Sequence, residues 1–204
     1  MRQIARAFGI SFTSDIANNY PNSKGAHVLA DLACDLKIDI RRDAEVALHR
    51  FTDYFMGFEQ VDAVKRIFGD QTKKVLDTLK IELAGTRGYM GVSDEDGHLI
   101  VGVHYLKSGN LVDIYLDVIH ELVHVKQFME GKELFDSDYQ YVDRPTEVEA
   151  YRYAVAEARR LGFDDERISQ YLRTEWMSIA DLRRLAKSVG VKCVWGRKSE
   201  KENQ

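Results

Sequence analysis

The sequence predicts an α+β fold, predominantly helical, with a small antiparallel sheet just ahead of its longest helix. Three observations predict it. Apolar residues recur at helical spacing over most of the chain, a short stretch near the middle changes to β-rich runs, and only two prolines, Pro21 and Pro145, interrupt 204 residues that contain no Gly/Ser-rich linker or internal repeat. At this length, with 45% hydrophobic residues, one core can form, so a single domain over residues 1–204 is expected. Within it the pattern separates an N-terminal helical part (1–85), a central core (86–162), a C-terminal helix pair (163–195) and a charged, flexible tail (196–204).

Between residues 24 and 84, Val28, Leu29, Leu32 and Leu36, and later Val75, Leu76, Leu79 and Leu83, share helical faces broken by Gly57 and Gly69. This spacing predicts three or four packed helices. Residues 89–92 and 99–106 are then two β-rich runs joined by Ser93-Asp94-Glu95-Asp96-Gly97, the turn chemistry of a β-hairpin. Asn110 as N-cap, Asp113 in the first turn and Gly131 as a stop predict one helix over 111–130, about 30 Å long. Thr146 with Glu149 three positions on, preceded by Pro145, predicts a capping box opening a helix that runs to Leu161 before Gly162. Asp164 and Ser178 cap two more, the second ending near Gly190, with Ile168, Leu172, Leu182 and Leu185 as scaffold positions.

Charge excludes several functions. Lys and Arg total 29 against 33 Asp and Glu, a net charge of -4, so there is no cationic field to draw nucleic acid or anionic lipid. The most apolar window, 111–129, carries Asp113, Asp117, Glu121 and Lys126, which rules out a membrane span. Residues 1–12 lack a signal-peptide pattern, and the expected location is cytoplasmic. Cys34 and Cys193 stand far apart and outside any Cys-x-x-Cys pair, which predicts reduced structural thiols.

The chemistry concentrates in His120-Glu121-Leu122-Val123-His124. On a helix these three polar positions fall within about 100° of arc, so two imidazoles project side by side one turn apart and Glu121 leans toward the same region. Two such rings can share a zinc ion. A catalytic zinc site takes three protein ligands plus water, lowers the water's pKa to about 7, and is served by a nearby carboxylate that accepts the proton. Chance places such a motif in roughly one chain of this length in a hundred, and here the spacers and the flanks Val118, Ile119 and Val125 are all apolar, as a buried active-site helix needs.

The stretch resembles the HExxH zinc metallopeptidases, the zincins, and the resemblance implies a zincin-like core around the motif helix. No histidine follows His124, which removes the metzincin type with its third His. The third ligand must then be an acid. Glu147 and Glu149 open a new helix far enough downstream to fold back. Glu147 shares its face with Ala150, Tyr151, Ala154 and Ala158, a packing stripe, whereas Glu149 lies with Arg152, Tyr153 and Arg160. A carboxylate on a packing face demands a metal or an ion pair with an arginine, and ligation assigns Glu147 to the metal. The segment Glu147-Val148-Glu149-Ala150-Tyr151-Arg152-Tyr153-Ala154 is similar to the second motif of gluzincin-type enzymes, closest to the ImmA/IrrE-like group. Asp117, Lys126 and Tyr151 depart from the extended pattern.

Other residues are candidates for supporting roles. Asp113 and Asp117 lie on the histidine stripe, able to bond a ligand ring or to line the substrate cleft, with an ordinary solvated face as the alternative. His104 and Tyr105 are placed on the strand before the helix, where the resemblance implies a sheet edge that aligns an extended peptide. Tyr139, Tyr141, Arg144 and Tyr151 could stabilise a tetrahedral intermediate, and His27, His49 and His98 lack partner spacing. The expectation is a zinc-dependent peptidase acting on a peptide or protein substrate: His120, His124 and Glu147 hold one zinc ion, and Glu121 is the catalytic base. The alternative is a non-proteolytic zinc-binding regulatory or sensor protein with the same ligands.

Overall fold

The computed structural model of the chain describes residues 38–85 and 88–195. The apolar positions Val28, Leu29, Leu32 and Leu36, with His27, Cys34 and the charged tail, lie outside the described residues. The fold is α+β, and the chain divides into two compact units, Met1–Leu134 and Phe135–Gln204.

In the first unit the described elements are β1 (Asp39–Ile40), β2 (Ala47–Arg50), β3 (Phe55–Met56), α1 (Asp62–Phe68), α2 (Thr72–Thr78), β4 (Lys80–Ala84), β5 (Met90–Val92), β6 (Leu99–Gly102), α3 (Val103–Ser108) and α4 (Leu111–Met129). Strands β1 and β3 form a two-stranded ribbon, and the main sheet has the order β2-β4-β6-β5. The expected hairpin is there: β5 pairs antiparallel with β6, with Val92 opposite Leu99, and Ser93 N–H donates to His98 O at 2.9 Å across the turn. Gly97 at the tip has φ 75°, a left-handed value that favours glycine, and a Cβ there would meet the Phe128 ring of α4 at 2.4 Å. The hairpin is thus seated against the motif helix.

Two expectations are corrected. The sheet is mixed rather than antiparallel, because β6 inserts between β5 and β4 and runs parallel to β4, with Ile81 opposite Leu99. Residues 38–84 are also not all helical. Leu79 and Leu83 continue the spacing of Val75 and Leu76, but Thr78 ends α2, and Lys80–Ala84 alternates exposed and buried at Lys80 and Ile81 in the strand rhythm of period two.

The core of this unit is aromatic and aliphatic. Phe51, Phe55 and Phe58 are each at most 1% exposed, with ring centroids 5.1 to 6.0 Å apart, and Phe58 contacts Tyr115 of α4 at 5.6 Å. Burying each such ring stabilises the fold by roughly 1.5–3 kcal/mol. Helix α4 begins where Asn110 Oδ1 accepts the N–H groups of Val112 and Asp113 at 2.9 and 3.2 Å. It ends in a Schellman motif: Gly131 at φ 72°, Gly131 N–H to Phe128 O, and Lys132 N–H to Gln127 O, both 2.9 Å.

In the second unit, α5 (Pro145–Arg160), α6 (Asp165–Leu172) and α7 (Ile179–Ser188) follow a short turn at Tyr141–Asp143. Asp164 and Ser178 cap α6 and α7 through side-chain bonds to Arg167 N–H and Asp181 N–H. The capping box at Thr146 is a correction. Arg144 is the N-cap and Pro145 occupies the first helical position, since proline has no N–H to lose there and its φ is already helical. The stripe Glu147, Ala150, Tyr151, Ala154 and Ala158 is buried, and Arg152 and Arg160 are exposed. No described helix is long and apolar enough to cross a membrane.

Candidate metal centre

Helix α4 places His120, Glu121, His124 and Gln127 on consecutive turns, and all four are buried, Gln127 completely. The rest of the helix surface explains how: Leu116, Ile119, Leu122 and Val123 show no exposed area, so the polar residues are carried inward by an apolar cylinder. The two imidazoles lie edge to face, with centroids 4.7 Å apart and an interplanar angle of 77°. Their Nε2 atoms are 3.0 Å from one another.

Gln127, one turn beyond His124, was not singled out by the sequence reading. His124 Nδ1–H donates to Gln127 Oε1 at 2.7 Å. An amide oxygen only accepts, so this contact is a hydrogen bond when the ring proton is on Nδ1, which in the neutral ring leaves the lone pair on Nε2. The signal was the spacing of three from a ligand histidine on a helix, which places two side chains on one face.

Glu147 is 6% exposed, in the first turn of α5. One carboxylate oxygen of Glu147 and one ring nitrogen each of His120 and His124 lie within 4.8 Å of one another, and all three residues are buried. These three are the group among the described residues that is close enough to hold a metal ion. Comparison of the chain with protein-family models, curated proteins and solved structures finds no match. Its function is therefore argued from these side chains.

The other candidates have contacts of their own. Asp117 accepts a hydrogen bond from Tyr105 Oη at 2.5 Å. Burial first, and the Asp117 charge beside it second, push the Tyr105 hydroxyl well above the ordinary tyrosine pKa, so it stays a protonated donor. His104 and Tyr105 are on α3 rather than on a strand, because β6 stops at Gly102 and α3 starts at Val103. His104 is exposed. Among the described strands, the sheet edge beside α4 is β5, not residues 104–105. Tyr141 and Tyr151 bring their hydroxyls to 3.0 Å, Tyr139 is 46% exposed, and Arg144 Nε donates to Asp136 O at 3.0 Å. His49 packs on Tyr54, and His98 lies between Glu82 and Asp96. Cys193 is a free, half-buried thiol.

Proposed function

We propose that this chain is a zinc-dependent metallohydrolase that cleaves peptide bonds, with His120, His124 and Glu147 as the zinc ligands and Glu121 as the catalytic base. The observation that carries the reading is the gathering of those three ligand atoms within 4.8 Å, in residues almost wholly withdrawn from water. Zinc–nitrogen bonds of about 2.0–2.1 Å meeting near the tetrahedral angle set their nitrogens roughly 3.3 Å apart, close to the 3.0 Å between the two Nε2 atoms. Two imidazoles and a carboxylate are also a donor set common to catalytic zinc sites, which leave one position open.

Zinc held by these residues would supply Lewis acidity to polarise a peptide carbonyl and acidify water. The protein's part is proton traffic. Glu121, on the same helical face and 8% exposed, accepts a proton from the water whose oxygen attacks the carbonyl carbon. When the C–N bond breaks, Glu121 returns that proton to the leaving amine nitrogen.

Glu121→Gln tests the assignment. The variant should bind one equivalent of zinc as the parent does, by native mass spectrometry, and lose peptide turnover by about 10²–10⁴-fold. Full activity in this variant refutes the mechanism. A parent that binds zinc yet cleaves nothing in a peptide library is a regulatory zinc protein. One that takes up no zinc is neither.

A further inference from the structure

We infer that Gln127 is the positioning residue of the centre: it fixes the tautomer and orientation of His124 so that Nε2 is presented as a ligand. The claim about metal affinity rests on the zinc reading above, whereas the claim about the ring proton does not. Gln127 has no exposed surface, and burying an amide is costly unless its polar atoms are bonded. Its Oε1 lies 2.7 Å from His124 Nδ1, at the short end of the range for an N–H donor. The backbone beneath it is held too. Gln127 O accepts from Lys132 N–H at 2.9 Å in the motif that terminates α4, with Gly131 in the left-handed conformation that makes the turn possible. The C-cap of the motif helix therefore anchors the residue that aims the second histidine.

The choice of amide over carboxylate also carries information. A glutamate at 127 would accept the same N–H and add a negative charge close to a ligand set that already includes Glu147. Glutamine orients the ring without that charge, which preserves the Lewis acidity that hydrolysis needs. Ligand-orienting partners of this kind typically change metal affinity by about 10–100-fold when removed.

The test uses the full chain, with three samples: parent, Gln127→Glu and Gln127→Met. Nitrogen-15 spectra of histidine-labelled, metal-free protein above the imidazole titration range should show His124 as the Nδ1–H tautomer in the parent and in Gln127→Glu. Gln127→Met should lose that preference. Competition against a chromophoric chelator should show zinc binding about 10–100-fold weaker in Gln127→Met and not weakened in Gln127→Glu. An Nε2–H tautomer in the parent overturns the inference, as does parental zinc affinity in a folded Gln127→Met. Should Gln127→Met fail to fold by circular dichroism, the parent's tautomer and the affinity of Gln127→Glu decide. If the parent binds no zinc, the proposed function fails while the parent's tautomer still judges Gln127.

Discussion

Two carboxylates on helix α5 are withdrawn from solvent to nearly the same degree, Glu147 with 6% and Glu157 with 0% of its surface exposed, and they keep different company. Arg160 meets Glu157 with a guanidinium fork, Nε and Nη2 donating at 2.8 and 2.6 Å. Glu147 gathers with the rings of His120 and His124. A buried carboxylate needs a positive charge, and the two neighbourhoods differ in who brings it. A guanidinium is permanently charged, so Arg160 supplies Glu157 with its counter-charge. The rings of His120 and His124 offer nitrogen donors, and in the zinc reading the ion supplies the positive charge.

Removing each acid separates the two kinds of site. In the zinc reading, Glu147→Ala takes away one of three ligands. Because structural zinc sites bind with about 10–16 kcal/mol shared among their ligands, affinity should fall by at least about 100-fold in chelator competition. Unchanged zinc binding in this variant would erase the contrast. Glu157→Gln is the converse experiment. Breaking a fully buried pair costs about 3–5 kcal/mol, but the Arg160 side chain is 40% exposed and can turn to water, so a loss of about 1–3 kcal/mol in urea unfolding is expected. Zinc affinity should not change. A parallel loss of affinity would mean that Glu157 supports the centre rather than the helix.

The contrast was half legible in the sequence. The face that carries Glu147 could be counted from Ala150, Ala154 and Ala158, because helical spacing is a local property and α5 is long enough to express it. The motif helix was equally readable, since Asn110 and Gly131 mark its ends with their own chemistry. What failed was shorter or less local. Strand β4 has only five residues and abuts α2 directly at Leu79, so its alternation merged with the helical spacing before it. Its parallel pairing with β6 depends on a contact that no local pattern encodes. The β-rich run 99–106 is split between β6, which ends at Gly102, and α3, which starts at Val103 and carries His104 and Tyr105. Gln127 gives no such signal, because a glutamine at that spacing ordinarily faces solvent and its type alone does not report complete burial.

A third acid extends the comparison to the surface and should give the smallest effect. Asp181 stands in the first turn of α7, where Ser178 Oγ–H donates to its Oδ2 at 2.6 Å and Asp181 N–H donates back to Ser178 Oγ at 3.1 Å. That side-chain bond from Ser178 is the main cause that lowers the Asp181 pKa below its ordinary value, with the Arg184 charge a minor one. A depressed folded-state pKa means that the folded protein releases its proton more readily than the unfolded chain. The resulting stabilisation is full above the unfolded value and disappears as pH falls through the folded one. Urea unfolding of metal-free protein should therefore show a modest loss as pH drops below about 4. Ser178→Ala should flatten that part of the profile, and Glu147→Ala should leave the Asp181 contribution as it was. If Ser178→Ala reproduced the parental acid limb, the hydroxyl would not be what holds Asp181 ionised, and the helix terminus or Arg184 would have to do so instead.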